Sequence, residues 1–188
     1  MLGRGHAVCL RRNIRLHRLF EIVLVAPQIA SNTGSIIRLC ANVGARLHLV
    51  GPLGFTLDDA ALRRGGLDYH ELADVQRWDT WAECRAAIGP DRRWFLTTAR
   101  AERRYDTVAF EPGDVFVFGR EADGLPASVL DAVSPDHHLM IPMRPHNRSI
   151  NLANAVSIVI YEAWRQHDFD GGGAQSTFEE QRAARPPD

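Results

Sequence analysis

Residues 20–50 have the sequence FEIVLVAPQIASNTGSIIRLCANVGARLHLV, and this stretch decides the fold. It opens with the apolar run at 20–25 and closes with RLHLV at 46–50, and both runs are typical of short buried strands. Between them, residues 32–43 have the periodicity of a helix, which Gly44 ends. A strand, a helix and a second strand in that order are the unit from which parallel sheets are built.

The same alternation continues along the chain. The further predicted strands are 74–78, 93–98, 114–119 and 138–143, and the further predicted helices are 57–64, 80–88, 126–133 and 151–166. Buried apolar strands separated by helices indicate a mostly parallel sheet that is covered by helices on both faces. The predicted fold class is therefore α/β.

Composition excludes several classes of protein. The chain has 188 residues, of which 45% are hydrophobic, too many for a chain that is disordered throughout. Its longest apolar runs, such as VSIVIY, are far shorter than the roughly 20 residues that cross a bilayer, so we expect no membrane segment. Cys9, Cys40 and Cys84 lie far apart, which argues against a disulfide scaffold and favours a reducing, cytoplasmic compartment.

The two ends differ from the middle of the chain. Residues 1–19 are rich in Arg and contain no acid, so we expect a disordered basic arm, while a transit peptide and a later translation start remain open. A single domain is predicted over 20–166, and the tail at 167–188, with its three consecutive glycines, is predicted to be flexible.

All 22 basic residues are Arg, and the net charge is −1. A GC-rich genome and a preference for bidentate phosphate binding both explain the use of Arg alone. Because the overall charge is slightly negative, any contact with nucleic acid must use a local basic patch.

Three polar loops follow predicted strands, where ligands bind in open α/β sheets. In the first, Arg38 stands on the polar face of a helix; it is either a functional cation or a solvated side chain, with Asn32 as the helix cap. The second, 119–126, has two glycines that permit a tight turn and close backbone approach to a ligand, without the spacing of a P-loop.

The third loop, 141–151, leads into a helix that is apolar nearly all round, with Ser149 or Asn151 as its cap. Such a helix is either buried or paired with a partner chain. His137 and His138 are expected to point to opposite faces of a strand, a poor geometry for one metal ion, so no metal site is predicted.

Together, the three loops resemble the three motifs of the TrmH-like branch of the SPOUT RNA ribose methyltransferases. The motif segments are NTGSIIR (32–38), GREADGLP (119–126), and IPM (141–143) with RSINLANA (148–155). RLCAN (38–42), LRRGGLDYHE (62–71) and YEAWR (161–165) are similar to the small bacterial members that methylate the ribose of the tRNA wobble nucleotide. The resemblance covers roughly 20–166, and Asp123 departs from it, since that position often carries a neutral or basic residue.

The resemblance implies a carboxyl-terminal trefoil knot, a homodimer, S-adenosylmethionine as cofactor, and the wobble cytidine or modified uridine in the anticodon loop of tRNA as substrate. The implied cofactor-binding residues are Leu96, Thr97, Gly119, Ile141, Met143, Ser149 and Leu152. The implied catalytic residues are Arg38, Asn32, Glu121, Ser149 and Asn151. We expect RNA binding to use Arg38, Arg63, Arg64, Arg144 and Arg148.

Arg38 is the residue that the resemblance assigns to activation of the ribose hydroxyl. Because a guanidinium is essentially never deprotonated in proteins, we expect Arg38 to hold a phosphate and to stabilise the emerging alkoxide. The proton then leaves through that phosphate, through water or through Glu121. Two other functions stay open: a non-catalytic RNA-binding or ribosome-assembly factor, and a ribosomal RNA 2′-O-methyltransferase, although residues 1–19 are too short for the extra RNA-binding domain that such relatives often carry.

Overall fold

The computed structural model of the chain describes residues 19–56, 75–147 and 149–173. These ranges leave out residues 1–18 of the predicted basic arm, the predicted helix at 57–64, and the predicted RNA-binding residues Arg63, Arg64 and Arg148.

Strands and helices alternate through the described residues. The strands are β1 (Glu21–Val25), β2 (Arg46–Val50), β3 (Val75–Trp78), β4 (Trp94–Thr97), β5 (Val115–Phe118) and β6 (His138–Leu139). The helices are α1 (Ala30–Val43), α2 (Trp81–Ile88), α3 (Ala127–Leu130) and α4 (Leu152–Arg165). The strands form one sheet in the order β3-β2-β1-β5-β4-β6, and every pairing between neighbours is parallel, so the predicted α/β class is confirmed.

Each face of the sheet carries its own apolar core. Successive side chains of a strand point to opposite faces. Accordingly, Ile22 and Leu24 of β1 lie in one cluster of buried side chains with α1 and α4, whereas Val23 and Val25 lie in another with α2 and α3. Helices therefore cover both faces, as the sequence predicts.

Local chemistry explains where the helices begin and end. Helix α1 ends because Gly44 adopts a left-handed conformation with φ of 69°, from which its N–H donates to the Cys40 carbonyl. Helix α2 begins with a capping box, in which Thr80 Oγ1 accepts a hydrogen bond from Glu83 N and Glu83 Oε2 accepts one from Thr80 N. Helix α4 begins at Asn151, as predicted, since the Asn151 Oδ1 accepts from Ala153 N and Asn154 N.

Four local predictions are corrected. Strand β6 covers only His138–Leu139, because Met140 bridges to Arg104 and the chain then leaves the sheet. His137 lies in a 3₁₀ turn that begins at Pro135, so it is not a strand residue. Helix α3 ends after one turn, and Pro126 precedes it as the N-cap. Helix α1 begins at Ala30, so Asn32 is inside its first turn and is not its cap.

Over the described ranges, no helix is long and apolar enough to cross a membrane. In the same ranges, no group of three or more His, Cys, Asp or Glu side chains could hold a metal ion. The sheet order does not decide how the carboxyl-terminal segment is threaded, and the trefoil knot stays a prediction.

Candidate active site

A cavity of about 320 Å³ lies beyond the carboxyl ends of β4 and β5, next to the start of α4. This is within the range of small-molecule sites, roughly 300 to 1,000 Å³. Three segments supply most of its lining: residues 97–100, residues 118–125, and the stretch from Ile141 to Ala155. Two of the three predicted loops, those that follow β5 and β6, therefore line one cavity. The third lining segment follows β4, and the first predicted loop, at 26–38, is not part of the lining.

The loop at 119–126 is closed by its own backbone. Arg120 N donates to the Gly124 carbonyl and Gly124 N donates to the Arg120 carbonyl, each across 3.0 Å. Gly124 has a φ of 75°, which favours glycine. A Cβ at Gly119 would overlap the backbone of Gly124 and Leu125. The tight turn is present, and the absence of a Cβ at Gly119 allows its close approach to the backbone of its own loop.

Glu121 joins this loop to the start of α1. Its Oε2 accepts a hydrogen bond from Gln28 N at 2.9 Å, and its Oε1 accepts from Ile29 N at 3.2 Å and from the Asn32 side-chain amide at 3.0 Å. Ile29 is the N-cap of α1 and offers no capping side chain. The Glu121 carboxylate, from a distant part of the chain, therefore caps the N-terminal end of α1. The N-terminal end of a helix favours negative charge.

These hydrogen bonds also decide the ionisation of Glu121. Burial alone raises the pKa of its carboxyl, but the hydrogen bonds from Asn32 and from the backbone of Gln28 and Ile29 outweigh burial and hold the pKa below the ordinary value of glutamic acid. Glu121 is therefore a carboxylate at neutral pH whose two oxygens are both engaged.

Asn32 connects the first loop to the third. Its Oδ1 accepts a hydrogen bond from the Asn151 side-chain amide at 3.0 Å, while the Asn151 Oδ1 caps α4. Asn32 is 8% exposed whereas Asn151 is exposed, so this contact is shielded from water on the Asn32 side only. Glu121, Asn32 and Asn151 thus form one chain of hydrogen bonds that fixes the three loops relative to one another.

Thr97 provides an unpartnered polar atom at the cavity. Its side chain lines the cavity at the end of β4, and Oγ1 is buried with no hydrogen-bond partner among the described residues. Leaving a buried hydroxyl unpaired costs about 1–3 kcal/mol. Such a group is typical of a site that completes its hydrogen bonds with a ligand.

The charged side chains around the cavity differ in their pairing. Arg120 forms an ion pair with Asp123 within the loop, and both line the cavity. Arg100 also lines it, and its guanidinium has no acidic partner among the described residues. Asp123, the departure from the family pattern, therefore neutralises one of the two arginines at the cavity.

All but one of the predicted cofactor-binding residues line the cavity: Thr97, Gly119, Ile141, Met143, Ser149 and Leu152. The exception is Leu96, whose side chain is fully buried in the core on the α2 and α3 face. Of the predicted catalytic residues, Glu121 and Ser149 line the cavity, and Asn32 and Asn151 are tied to Glu121 by the hydrogen bonds above.

Arg38 and Arg144 are exposed and lie outside the lining. Arg38 is about 9 Å further along α1 than Asn32, given the rise of a helix over six residues. A catalytic role for Arg38 therefore requires bound RNA, or a second copy of the chain, to extend the site to this part of α1.

The sequence prediction did not include several residues of the lining. Thr98 and Arg100 follow β4, and Arg120, Ala122 and Asp123 follow β5. The rule that ligands bind beyond the carboxyl ends of parallel strands, applied to every residue of these loops, would have found them.

Comparisons with known proteins identify the family of the chain. Residues 19–161 match the SpoU rRNA Methylase family. The tRNA (cytidine(34)-2′-O)-methyltransferase of Methylovorus glucosotrophus is 54% identical over 153 residues, which cover 81% of this chain and 99% of that protein. The enzyme of the same description from Escherichia coli K12 is 49% identical over 153 residues, which cover 81% and 97%.

Two solved structures extend the comparison. One, described as giving structural insights into the 2-OH methylation of C/U34 on tRNA, has a TM-score of 0.74 at 39% identity and covers 81% of this chain and 98% of that chain. The other is the SpoU methyltransferase AviRb from Streptomyces viridochromogenes in complex with the cofactor AdoMet, with a TM-score of 0.66 at 26% identity, covering 80% and 59%.

The parallel sheet and the cavity at its carboxyl edge define an α/β protein with a candidate ligand site assembled from three segments. The chain belongs to the SpoU methylase family. The resemblance to the SPOUT ribose methyltransferases is confirmed.

Proposed function

We propose that the chain transfers a methyl group from S-adenosylmethionine to the ribose 2′-hydroxyl of the wobble nucleotide of tRNA, a cytidine or a modified uridine. The observation that carries the proposal is the chain of hydrogen bonds from Glu121 through Asn32 to Asn151. It joins the three loops in which the family resemblance places the active site, and it does so beside a cavity large enough for a cofactor. The tRNA substrate comes from the relatives, which are named as cytidine(34) enzymes.

The cavity suits S-adenosylmethionine. Apolar side chains such as Ile141 and Leu152 provide a surface for an adenine, and Thr97 Oγ1 offers a hydrogen-bonding group that no described residue uses. Met143 and Ser149 complete the wall on the side of α4. When bound, the cofactor supplies an electrophilic methyl group on a sulfonium.

The residues of the chain have to orient the ribose hydroxyl and stabilise its developing negative charge. Glu121 is poorly suited to accept the proton, since its two oxygens already accept hydrogen bonds and its pKa lies below the ordinary value. We therefore assign Glu121, Asn32 and Asn151 to positioning. Arg38 holds the phosphate beside the target ribose and stabilises the alkoxide, and the proton leaves to that phosphate or to water.

A splayed anticodon-loop nucleotide is the form of RNA that such a site can read through its 2′-hydroxyl and phosphates. Arg38 and Arg144 are exposed near the loops and supply positive charge to an RNA backbone, together with Arg63, Arg64 and Arg148. Binding of tRNA is then salt-sensitive. This activity would be cytoplasmic, where tRNA is processed.

A homodimer is the assembly that we propose for this activity. Helix α4 buries Leu152, Val156 and Ile160 against its own sheet, yet Tyr161 on the same helix is 44% exposed. Arg38 is separated from the cavity of its own chain, and a second copy would supply the missing surface. We also infer the family's trefoil knot in the segment that leads from β6 to α4.

The direct test is transfer of a labelled methyl group from S-adenosylmethionine to total tRNA and, separately, to ribosomal RNA, followed by mapping of the modified nucleotide. The proposal predicts label in tRNA at the 2′-oxygen of nucleotide 34, the position given in the names of the relatives. Label in ribosomal RNA alone would favour the ribosomal RNA enzyme. Cofactor binding without transfer to any RNA would favour a non-catalytic RNA-binding factor.

A further inference from the structure

A second cleft adjoins the cavity at the outer edge of the sheet, beside β6. Arg100, Arg103 and His138 line it, together with their neighbours in 100–103 and 135–138. Arg100 lines the cavity as well, so the two sites share a wall. The cavity and the cleft therefore lie on either side of Arg100.

The wall of this cleft is held by backbone hydrogen bonds. Met140 N donates to the Arg103 carbonyl at 2.8 Å, and Tyr105 N donates to the Met140 carbonyl at 3.1 Å. The Arg103 guanidinium is itself oriented, since its Nη1 donates to the Asp136 carbonyl at 3.0 Å. The cleft thus presents an arginine in a set position, with its remaining N–H groups available to a ligand.

Arg100 and Arg103 differ from the arginines around them in their counter-ions. Arg104 forms a bidentate pair with Asp106, at 2.9 and 2.6 Å, and Arg120 pairs with Asp123. Neither Arg100 nor Arg103 forms an ion pair in the part of the chain that the structure describes. An unpaired guanidinium in a set position is suited to bidentate binding of a phosphate.

The same lining also carries the carboxylates of Glu102 and Asp136. The cleft therefore has no net positive charge that would attract a polyanion from a distance. Recognition here would come from direct contact with individual phosphates, which fixes the register of a nucleic acid.

We propose that this cleft binds the phosphate backbone of single-stranded RNA next to the target nucleotide, with Arg100 and Arg103 as the phosphate ligands. The inference rests on the proposed function, since it takes the target ribose to lie at the adjoining cavity. Arg100, shared by both sites, connects the target nucleotide with the phosphate that follows it into the cleft. These two residues are additional to the RNA-binding arginines predicted from sequence.

The test measures the affinity of an unmodified tRNA transcript for the full chain over a series of salt concentrations. Arg103→Ala is compared with Arg104→Ala, the same substitution at the next residue. Both change the net charge by the same amount, but the Arg104 guanidinium is already paired with the Asp106 carboxylate. Loss of one phosphate contact lowers the slope of log affinity against log salt by about 0.7 and weakens binding by roughly fivefold or more at physiological salt. We expect this of Arg103→Ala and of Arg100→Ala, a larger loss in the double variant, and a clearly smaller change for Arg104→Ala.

Two further measurements keep the result interpretable. Arg103→Lys keeps the charge but not the planar fork, so it should bind tRNA less tightly than the wild type and more tightly than Arg103→Ala. Thermal unfolding and the cofactor affinity of the Arg103 variants should match the wild type, because Arg103 lines the cleft but not the cavity.

An Arg103→Ala protein that binds tRNA with wild-type affinity and salt slope would overturn the proposal, as would an equal loss in Arg104→Ala. The proposed function fails separately, if the wild-type protein binds tRNA but transfers no methyl group to it.

Discussion

The side-chain amide of Asn151 donates a hydrogen bond to Asn32 Oδ1 across 3.0 Å, although the two residues are 119 positions apart in the chain. Asn32 in turn donates to the carboxylate of Glu121, which is 89 positions away. Each asparagine donates through its side-chain nitrogen and accepts through its side-chain oxygen, so all hydrogen bonds of the chain run in one direction. The relative positions of α1, α4 and the 119–126 loop depend on it.

Substitution of Asn151 separates its two roles. Asn151→Asp keeps the oxygen that caps α4 but loses the donor to Asn32, and a flip of the Asn32 amide would only move the conflict to Glu121. We expect the unfolding free energy to fall by about 1–3 kcal/mol, because the buried Asn32 Oδ1 loses its donor. We also expect a turnover lower by about tenfold or more, because the loops lose their alignment. Asn151→Ala also loses the cap, at a cost of about 1 kcal/mol in unfolding free energy. Denaturant unfolding and single-turnover kinetics check both, and wild-type turnover in Asn151→Asp would contradict the positioning role.

Arg38→Ala should abolish turnover while leaving cofactor affinity nearly intact, since Arg38 lies outside the lining of the cavity. Arg38→Lys should also lose most of its activity, because an ammonium cannot bind a phosphate through a planar fork. Titration calorimetry with S-adenosylmethionine and turnover with tRNA separate the two effects. A parallel loss of cofactor binding would show that Arg38 acts in another way.

Thr97→Val removes the unpartnered hydroxyl without changing the volume of the side chain much. Since Oγ1 has no partner among the described residues, the protein without cofactor should be as stable as the wild type or slightly more so. Cofactor affinity should fall by about five- to tenfold, the worth of roughly one hydrogen bond. Thr97→Ser, which keeps the hydroxyl, is the matched control and should retain most of the affinity. Unchanged affinity in Thr97→Val would remove Oγ1 from the cofactor site.

Asp123→Asn should strengthen the binding of tRNA. The ion pair with Arg120 is exposed and worth at most about 1 kcal/mol, so its loss should leave the loop folded. The freed Arg120 can then contact a phosphate, which would lower the dissociation constant by a few fold and steepen its salt dependence. The double variant Arg120→Gln with Asp123→Asn should lose this gain. Weaker tRNA binding in Asp123→Asn alone would mean that the pair supports the shape of the loop.

The elements nearest to ideal patterns could be predicted from sequence. Strand β2 has the predicted bounds, β1 is one residue shorter at its start, and α4 is one residue shorter at each end. These elements could be predicted because apolar runs and a capping Asn are local signals. Strand β6 was predicted too long, since IPM is as apolar as a strand. Instead, the chain leaves the sheet after Met140, and Ile141 and Met143 line the cavity. Where the strand ends therefore depends on tertiary contacts and not on local sequence.

The site could be predicted only in part, for the same reason. The family motifs identify Glu121, Asn32 and Asn151, but no local signal states which of them touch. Asn32 is of a residue type that often caps helices, so its sequence is compatible with capping α1. In the structure, the Glu121 carboxylate from another loop caps α1 instead. The ion pair of Arg120 with Asp123 likewise follows from how the loops pack, as does the lack of a partner for Thr97 Oγ1 within 19–56, 75–147 and 149–173.

The most direct test of the account uses two tRNA transcripts that differ in one oxygen atom. At position 34, the position given in the names of the relatives, one carries cytidine and the other carries 2′-deoxycytidine. An enzyme that methylates the ribose 2′-oxygen transfers one methyl group to the first transcript and none to the second, and we expect both to bind the protein with similar affinity. Equal methylation of the two transcripts would place the methyl group on another atom and would contradict the assignment of this cavity to ribose 2′-O-methylation.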